Sequence, residues 1–250
     1  MIPKVIHYCW FGGNELPNSA KKCIKSWKKY FPDYEIKEWN ESNYDVRKNT
    51  YISQAFDACK YAFVSDYARF DILYQYGGIY FDTDVEVIKS FEDILVRGAF
   101  MGCEIDGESD SGFNKYVAPG LGIAASSGLP LYKEILDFYD TQKFMNHDGS
   151  LNMETVVVKT TQILQKYGLK NGNEIQQIGG ITIYPKEYFN PKDSSTGKLV
   201  ITQNTHSIHW YSMTWLSKGQ KIKKMILNPF RRIFGVDCFR WLKKLLRLSK

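Results

Sequence analysis

Apolar residues recur along this chain with two alternating periods, one typical of strands and one typical of helices. Residues 5–11 form an apolar run that a Gly-Gly pair ends, which predicts a buried first strand. Residues 17–30 repeat apolar side chains at helical spacing, and residues 34–39 alternate as a second strand. Because strands and helices alternate, the pattern predicts an α/β domain with a mainly parallel sheet and antiparallel additions.

The pattern continues through the rest of the chain. Helices are predicted over residues 51–61, 130–140 and 153–167, with a further helix that Gly77-Gly78 ends. Predicted strands cover residues 79–81, 100–103, 122–125, 181–184, 199–202 and 207–210. Residues 104–111 and 191–197 are rich in turn-forming residues and are predicted loops.

Residues 65–87 combine a helix, a Gly-Gly stop, an apolar strand and then two carboxylates, Asp82 and Asp84. Side chains two apart on an ideal strand point the same way, so both could face one ion. Carboxylate oxygen is the ligand that Mg²⁺ and Mn²⁺ prefer. A bare pair of this kind is commonly a turn or a solvated loop. Like charges at the mouth of a buried strand repel, however, so this context favours a metal or diphosphate site.

Asp66 and Arg69 lie three residues apart on the preceding helix and therefore share a face. Two interpretations stay open for this pair. It is either a surface ion pair that contributes a few tenths of a kcal/mol, or a site where Asp66 accepts a hydrogen bond from a sugar or ribose hydroxyl. In the second interpretation Arg69 holds Asp66 or reaches the sugar.

Three segments resemble the DxD sugar transferases of glycosyltransferase family 32, which includes bacterial capsule and lipopolysaccharide enzymes. They are residues 2–13, residues 65–87 and residues 206–215. A more distant resemblance is to the glucosylating domain of the large clostridial toxins. The resemblance implies a GT-A-like, Rossmann-type mixed sheet flanked by helices, a nucleotide-sugar donor, a Mn²⁺ or Mg²⁺ cofactor and retention of anomeric configuration.

The resemblance also implies roles for individual residues. It places Trp10 against the donor nucleobase, and Asp66 with Arg69 at the ribose or the donor sugar. Asp82 would contact the sugar or ribose, and Asp84 would ligate the metal directly. Asp82, Asp84 and Arg69 are accordingly the predicted catalytic residues.

Four further polar residues are candidates for the site. His209 alternates with its neighbours on a predicted strand, and the resemblance assigns it to the metal-diphosphate site beside Asp82 and Asp84. His206 is a weaker alternative. Asn152 and Glu154 stand at a predicted helix start, where they either cap the helix or recognise acceptor hydroxyls.

Composition bounds the protein class and its compartment. The chain is 44% hydrophobic and 24% charged, which is ordinary for a globular protein. Five scattered Cys suit a reducing compartment better than a disulfide framework. There is no secretory signal pattern and no apolar run long enough to span a bilayer. We therefore expect a cytoplasmic protein.

Charge divides the chain into two parts. Residues 218–250 contain eleven Lys or Arg and one acid, a net charge of +10, which leaves residues 1–217 at about −4. Apolar side chains interleave with the basic ones, which predicts an amphipathic helical tail on an anionic membrane surface. The alternatives are a helix packed on the domain, an oligomer contact or nucleic-acid affinity; we favour the membrane and expect no nucleic-acid partner. The predicted domains are a transferase domain, residues 1–217, and this tail.

These observations predict an enzyme that moves a hexose from a nucleotide-diphosphate sugar, with a UDP-sugar favoured, to a saccharide or lipid-linked saccharide acceptor in surface polysaccharide synthesis. Retention is expected to proceed by front-face attack, since no sequence feature marks a nucleophilic carboxylate. Two rival functions use the same residues differently. One is a nucleotide-sugar hydrolase or phosphoesterase, and the other is a non-catalytic adaptor at the inner face of the membrane.

Overall fold

The computed structural model describes residues 1–109 and 112–212, so the predicted tail at 218–250 and residues 213–215 of the late motif lie outside the described residues. The strands of the described part are β1 (Val5–Cys9), β2 (Glu35–Trp39), β3 (Gly78–Tyr80), β4 (Val85–Val87), β5 (Phe100–Ile105), β6 (Tyr116–Val117), β7 (Ile123–Ala125), β8 (Gln176–Ile178), β9 (Ile181–Tyr184) and β10 (Ser207–His209). Its helices are α1 (Asn18–Tyr30), α2 (Thr50–Asp57), α3 (Tyr61–Tyr76), α4 (Glu92–Leu95), α5 (Pro130–Asp140), α6 (Val156–Lys166) and α7 (Lys186–Phe189).

The main sheet has the strand order β2-β1-β3-β7-β5-β9-β8, and β6 pairs with β5 at one side. β1 is parallel to β2 and to β3, and β5 is parallel to β9. The remaining pairs of this sheet are antiparallel. The predicted α/β class, a mixed sheet flanked by helices, is confirmed. The expected predominance of parallel pairing is wrong, because β7 enters the middle of the sheet antiparallel to both of its neighbours.

Helices cover both faces of the sheet, because alternate strand residues point to opposite sides. On β3, Tyr80 packs into a core with α2, α3, α5 and α6, whereas Ile79 packs into a second core with α1, α4 and α7. Both side chains are almost completely buried. A strand with apolar residues on both faces is what a central position requires, and it places the end of β3 deep within the domain.

Helix α3 is enclosed on nearly all sides, so its charged side chains Asp66 and Arg69 are buried together with its apolar ones. It ends where the Gly-Gly pair predicts, at Gly77, whose φ is +64°. A Cβ on this residue would lie 2.8 Å from the backbone nitrogen of Ser127. Glycine is therefore needed both for the conformation and for the close approach of the next strand.

The predicted helix over residues 51–61 ends earlier than expected. α2 ends at Asp57, and α3, the separate helix predicted before the Gly-Gly stop, begins at Tyr61. Cys59 lies between them with φ of +54°, a conformation that an α-helix does not accept. The apolar periodicity runs through both helices and gives no sign of this turn.

Two predicted strands near the end of the described chain also differ. Residues 199–202 form no strand; Leu199 makes one isolated bridge with Lys192, and Val200 and Ile201 are half exposed. Residues 207–210 were expected to close the sheet, but β10 instead pairs antiparallel with β4 in a separate two-stranded ribbon. A short apolar run predicts an extended backbone but does not determine which strand it pairs with. Both differences have this cause.

Cys9, Cys23, Cys59 and Cys103 are free thiols, as their scattered spacing predicts. Within residues 1–109 and 112–212, no helix has the length and apolar character needed to cross a bilayer.

Candidate metal and donor site

The two carboxylates of the central motif lie in a turn that joins β3 to β4. The backbone nitrogen of Val85 donates to the carbonyl of Asp82 at 3.0 Å and closes this turn. The pair therefore does not lie on one continuous strand, so the predicted strand alternation of the two side chains is wrong. Asp82 and Asp84 nevertheless converge, and with His209 they offer ligand atoms that all lie within 4.8 Å of one another.

Asp82 is held by groups from three directions. Its Oδ1 lies 3.3 Å from a guanidinium nitrogen of Arg69 and accepts a hydrogen bond from the Tyr80 hydroxyl at 3.1 Å. Its backbone nitrogen donates to the carbonyl of Gly120 at 3.3 Å. Burial raises the pKa of this carboxyl, and the charge of Arg69 opposes the rise.

Asp66 and Arg69 form a buried ion pair, not a surface one. Their closest atoms are 2.9 Å apart, and the side chains are 12% and 4% exposed. Arg69 Nε also donates to the carbonyl of Ser65, and its guanidinium lies 5.1 Å from the ring centroid of Tyr80. Burial raises the pKa of Asp66 to about 6, although Arg69 lowers it. Asp66, Arg69, Tyr80 and Asp82 therefore form one connected set, which we call the arginine side of the site.

Asp84 has a different set of partners. His209 Nε2 lies 3.0 Å from its Oδ1, and the backbone nitrogen of Ser212 donates to its Oδ2 at 2.7 Å. Burial acts to raise the pKa of Asp84, but His209 and the Ser212 N–H outweigh it and hold that pKa below its usual value. We call Asp84, His209 and Ser212 the histidine side.

The ribbon formed by β4 and β10 brings the histidine side together. His209 is paired with Val85, directly after Asp84, and the backbone nitrogen of Trp210 donates to the Asp84 carbonyl at 2.9 Å. Trp210 Nε1 also donates to Glu86 on β4 at 2.7 Å. Strand pairing thus places His209, which lies far along the chain, next to Asp84.

The residues of the cluster fit a divalent cation. The cluster offers two carboxylate oxygens and one imidazole nitrogen, all within 4.8 Å of one another, that would serve as ligands for such an ion. The Nδ1 of the same ring is buried and has no hydrogen-bond partner within the described part of the chain. Carboxylate oxygens suit both Mg²⁺ and Mn²⁺, and an imidazole nitrogen favours the transition metal.

The other predicted donor residue, Trp10, follows β1 at the same edge of the sheet as the motif that follows β3, because these strands are parallel. Its indole nitrogen donates to the carbonyl of Asn14 at 2.6 Å, and its backbone nitrogen donates to Trp39. These bonds attach Trp10 to the β1–β2 edge and not to the carboxylate cluster. Its predicted contact with a nucleobase stays a prediction.

The acceptor candidates Asn152 and Glu154 lie before α6, which begins at Val156 with Thr155 as its N-cap. The capping interpretation is therefore wrong; Asn152 Oδ1 accepts instead from the backbone nitrogen of Glu154 at 3.1 Å. Their link to the site runs through α6, because Asp66 accepts a hydrogen bond from the Val156 backbone nitrogen.

Lys159 holds the same segment in place, and it is not among the site residues predicted from the sequence. It is fully buried, donates to the carbonyl of Glu154 at 2.6 Å and lies over the rings of Tyr51 and Tyr139. Burial lowers the pKa of this lysine, and the charges of Glu154 and Asp66 oppose that change. A lysine that directly follows three valines, at residues 156–158, was the signal available in the sequence.

His206, the weaker metal candidate, is placed elsewhere. Its Nε2 lies 3.0 Å from Asp93, its Nδ1 lies 2.7 Å from the carbonyl of Asn204, and its ring stacks on Tyr188. These contacts explain it as a buried structural residue.

Several groups around the cluster carry no sequence signal of their own. Gly120 is one, since a Cβ there would lie 2.1 Å from Asp82 Oδ2. Ser212 contributes its backbone nitrogen, which any residue except proline could supply. Only the pairing of distant segments identifies such contacts.

Comparison with known proteins bears on this same part of the chain. Residues 17–101 match the family described as a glycosyltransferase sugar-binding region containing a DXD motif. This match includes residues 65–87 and agrees with the resemblance noted from them.

Curated relatives match over a similar length. Inositol phosphoceramide mannosyltransferase 3 of Schizosaccharomyces pombe (strain 972 / ATCC 24843) is 33% identical over 98 residues, which is 38% of this chain and 27% of that protein. An uncharacterized glycosyltransferase of Acanthamoeba polyphaga mimivirus is 34% identical over 110 residues, 40% of this chain and 42% of that protein. The matched segments thus span less than half the length of these relatives.

Solved structures show a weaker likeness. PaToxG Glycosyltransferase aligns with 23% identity over 66% of this chain and 69% of that one, with a TM-score of 0.48. The galactosyltransferase LgtC, in complex with donor and acceptor sugar analogues, aligns with 12% identity over 90% and 95% of the two chains, with a TM-score of 0.42.

Proposed function

We propose that this chain is a metal-dependent, retaining glycosyltransferase that moves a hexose from a nucleotide-diphosphate sugar to a saccharide or lipid-linked saccharide acceptor. One observation carries the proposal. Within and beside the matched region, the carboxylate–histidine cluster of Asp82, Asp84 and His209 is continuous with the buried Asp66–Arg69 pair. A cation site suits a diphosphate, and a buried carboxylate beside it suits the hydroxyl groups of the sugar that the diphosphate carries.

The residues divide the work of binding the donor. Asp84, His209 and Asp82 would hold Mn²⁺ or Mg²⁺, which when bound neutralises negative charge on a diphosphate leaving group. Asp66 accepts hydrogen bonds from sugar or ribose hydroxyls, and Arg69 fixes Asp66 and Asp82 in position. Trp10 stacks on the nucleobase, while Asn152 and Glu154 contribute to the acceptor side.

A UDP-hexose is our first choice of donor, and a mannosyl donor is the second. The second choice rests on the named activity of two S. pombe relatives, both inositol phosphoceramide mannosyltransferases. We propose retention by front-face attack, in which the departing phosphate takes the acceptor proton.

The decisive experiment incubates the full chain with UDP-glucose, UDP-galactose, UDP-N-acetylglucosamine and GDP-mannose, with Mn²⁺, with Mg²⁺ or with a chelator. We expect one donor to release its nucleoside diphosphate only when a metal is present. Release of a nucleoside monophosphate with a sugar phosphate would instead identify a phosphoesterase. Release of the nucleoside diphosphate with free sugar, with no glycoside formed when a saccharide acceptor is added, would identify a nucleotide-sugar hydrolase. No turnover of any donor under any condition would contradict the proposal and favour a non-catalytic adaptor.

We also propose that residues 218–250 hold the enzyme on the inner face of the cytoplasmic membrane, for synthesis of a surface polysaccharide. Their charge of +10 and their interleaved apolar residues support it. Co-sedimentation with anionic vesicles should be lost when these residues are removed, and equal binding by both forms would refute the idea.

A further inference from the structure

The charge balance of the proposed site calls for a further cation, and this inference rests on the proposed function. Asp82 and Asp84 place two negative charges together, and each phosphate of a donor adds more. Arg69 contacts Asp82 directly, but its side chain is 4% exposed and already pairs with Asp66 and Asp82. A cation that reaches the diphosphate should therefore come from the histidine side.

Lys192 is placed there. Its Nζ donates to the carbonyl of Trp210 at 3.0 Å and lies 4.8 Å from the centroid of the Trp210 ring. The backbone nitrogen of Trp210 in turn donates to the carbonyl of Asp84. Asn190, two residues earlier, accepts from the Tyr211 hydroxyl at 2.9 Å, so the segment that carries Lys192 is fastened to the segment that carries His209.

A role confined to the Trp210 carbonyl does not require an ammonium group. An uncharged donor could make that bond. Partial burial lowers the pKa of Lys192, and the negative charge of Asp84 opposes that change by favouring the charged lysine. An ammonium group has three donors, of which the carbonyl takes one. Lysine is also a common point-charge partner of phosphate.

We propose that Lys192 contacts the diphosphate of the donor from the histidine side and stabilises its negative charge as the sugar leaves. Neither the family resemblance nor the central motif includes this residue.

The test measures binding without turnover. UDP and GDP are titrated into the full chain with saturating Mn²⁺, and Mn²⁺ alone is titrated separately. For the nucleotide that wild type binds, Lys192→Met should weaken affinity about tenfold, the loss expected for one charge-assisted hydrogen bond. Lys192→Arg, which keeps the charge, should stay within about threefold of wild type.

Two controls separate a phosphate contact from a structural role. Mn²⁺ alone should bind Lys192→Met as well as wild type or more tightly, because a repelling charge is removed. Lys198→Met removes the same charge from an exposed position of the same segment and should bind like wild type.

Three outcomes would overturn the inference. If Lys192→Met binds the nucleotide as wild type does, the lysine does not contact it. Equal losses for nucleotide and for Mn²⁺ would mean that Lys192 only maintains the fold. If the wild type binds neither UDP nor GDP, the proposed function itself fails, and this inference fails with it.

Discussion

The arginine side and the histidine side of the site meet at two aspartates that one residue separates. The two sides shift the pKa of their aspartate in opposite directions. Burial dominates at Asp82 and raises its pKa in spite of Arg69. At Asp84 the contacts from His209 and Ser212 dominate and lower the pKa. The difference shows that the spacing of two acids does not define their chemistry, because their partners come from different elements.

The two environments suit two tasks. The arginine side keeps its acids and Arg69 locked together in a buried network, which suits recognition of neutral hydroxyl groups. The histidine side keeps Asp84 ionised next to an imidazole, which suits a cation.

The largest expected effect is at the histidine side. Asp84→Asn removes the ionised ligand while preserving the shape of the side chain, so metal-dependent donor turnover should fall by about 10³-fold. Mn²⁺ binding should weaken in parallel, as measured by titration, and the circular dichroism spectrum should not change.

Asp137→Asn on α5 is the matched control, because this exposed acid pairs only with Lys133 and should leave turnover unchanged. Undiminished transfer by Asp84→Asn would refute the assignment of Asp84. The donor that the screen identifies serves as substrate in both measurements.

A smaller effect is expected from crowding the arginine side alone. Gly120→Ala would place a Cβ 2.1 Å from Asp82 Oδ2 and 3.3 Å from an Arg69 nitrogen, so Asp82 must move. We expect turnover to fall about tenfold and the free energy of unfolding to fall by about 1–3 kcal/mol.

Mn²⁺ affinity separates the two sides in this variant. It should decrease less than in Asp84→Asn, because the atoms nearest to the new methyl group belong to Asp82 and Arg69. Gly112→Ala, where a Cβ meets nothing within 4 Å, is the control. If Gly120→Ala binds Mn²⁺ as poorly as Asp84→Asn does, the two sides are not separable.

The third expected effect is on stability alone and depends on pH. The pKa of Asp66 is about 6 in the fold against an ordinary value of 3.8. Between about pH 6 and pH 4 the folded chain therefore binds a proton that the unfolded chain does not, so the Asp66 contribution to stability falls as pH rises through this window. The unfolding free energy of wild type minus that of Asp66→Asn should therefore rise by about 2 kcal/mol as the pH falls from 7 to 4.

Denaturant titrations of both proteins across this range measure the gap. His7, whose pKa burial lowers to about 4, contributes with the opposite sign, but it is present in both proteins and cancels in the difference. A gap that does not change with pH would show that Asp66 is already ionised at its ordinary pKa.

Local patterns in the sequence predicted a good part of this arrangement. The helix α3, its stop at Gly77, the strand that follows and the placement of Asp66 and Arg69 on one face all depend on contacts within a few residues. Such contacts follow directly from helical periodicity and glycine conformation. The burial of the pair was left open, because the sequence does not state what packs over that face.

The predictions fail at turns and pairings that apolar periodicity does not specify. The division between α2 and α3 depends on the conformation of Cys59, and the place of β10 depends on its pairing with β4. The involvement of Gly120 and Lys192 likewise depends on loops that approach the site from other parts of the chain.

By itself the sequence determined that a buried helix and strand lead into Asp82 and Asp84, because apolar periodicity and a Gly-Gly stop act locally. The tertiary structure alone decided which carboxylate faces Arg69 and which faces His209, and therefore which way each pKa moves. The physical reason is that electrostatic environment depends on burial and on neighbours within a few ångströms, and those neighbours are set by packing and strand pairing.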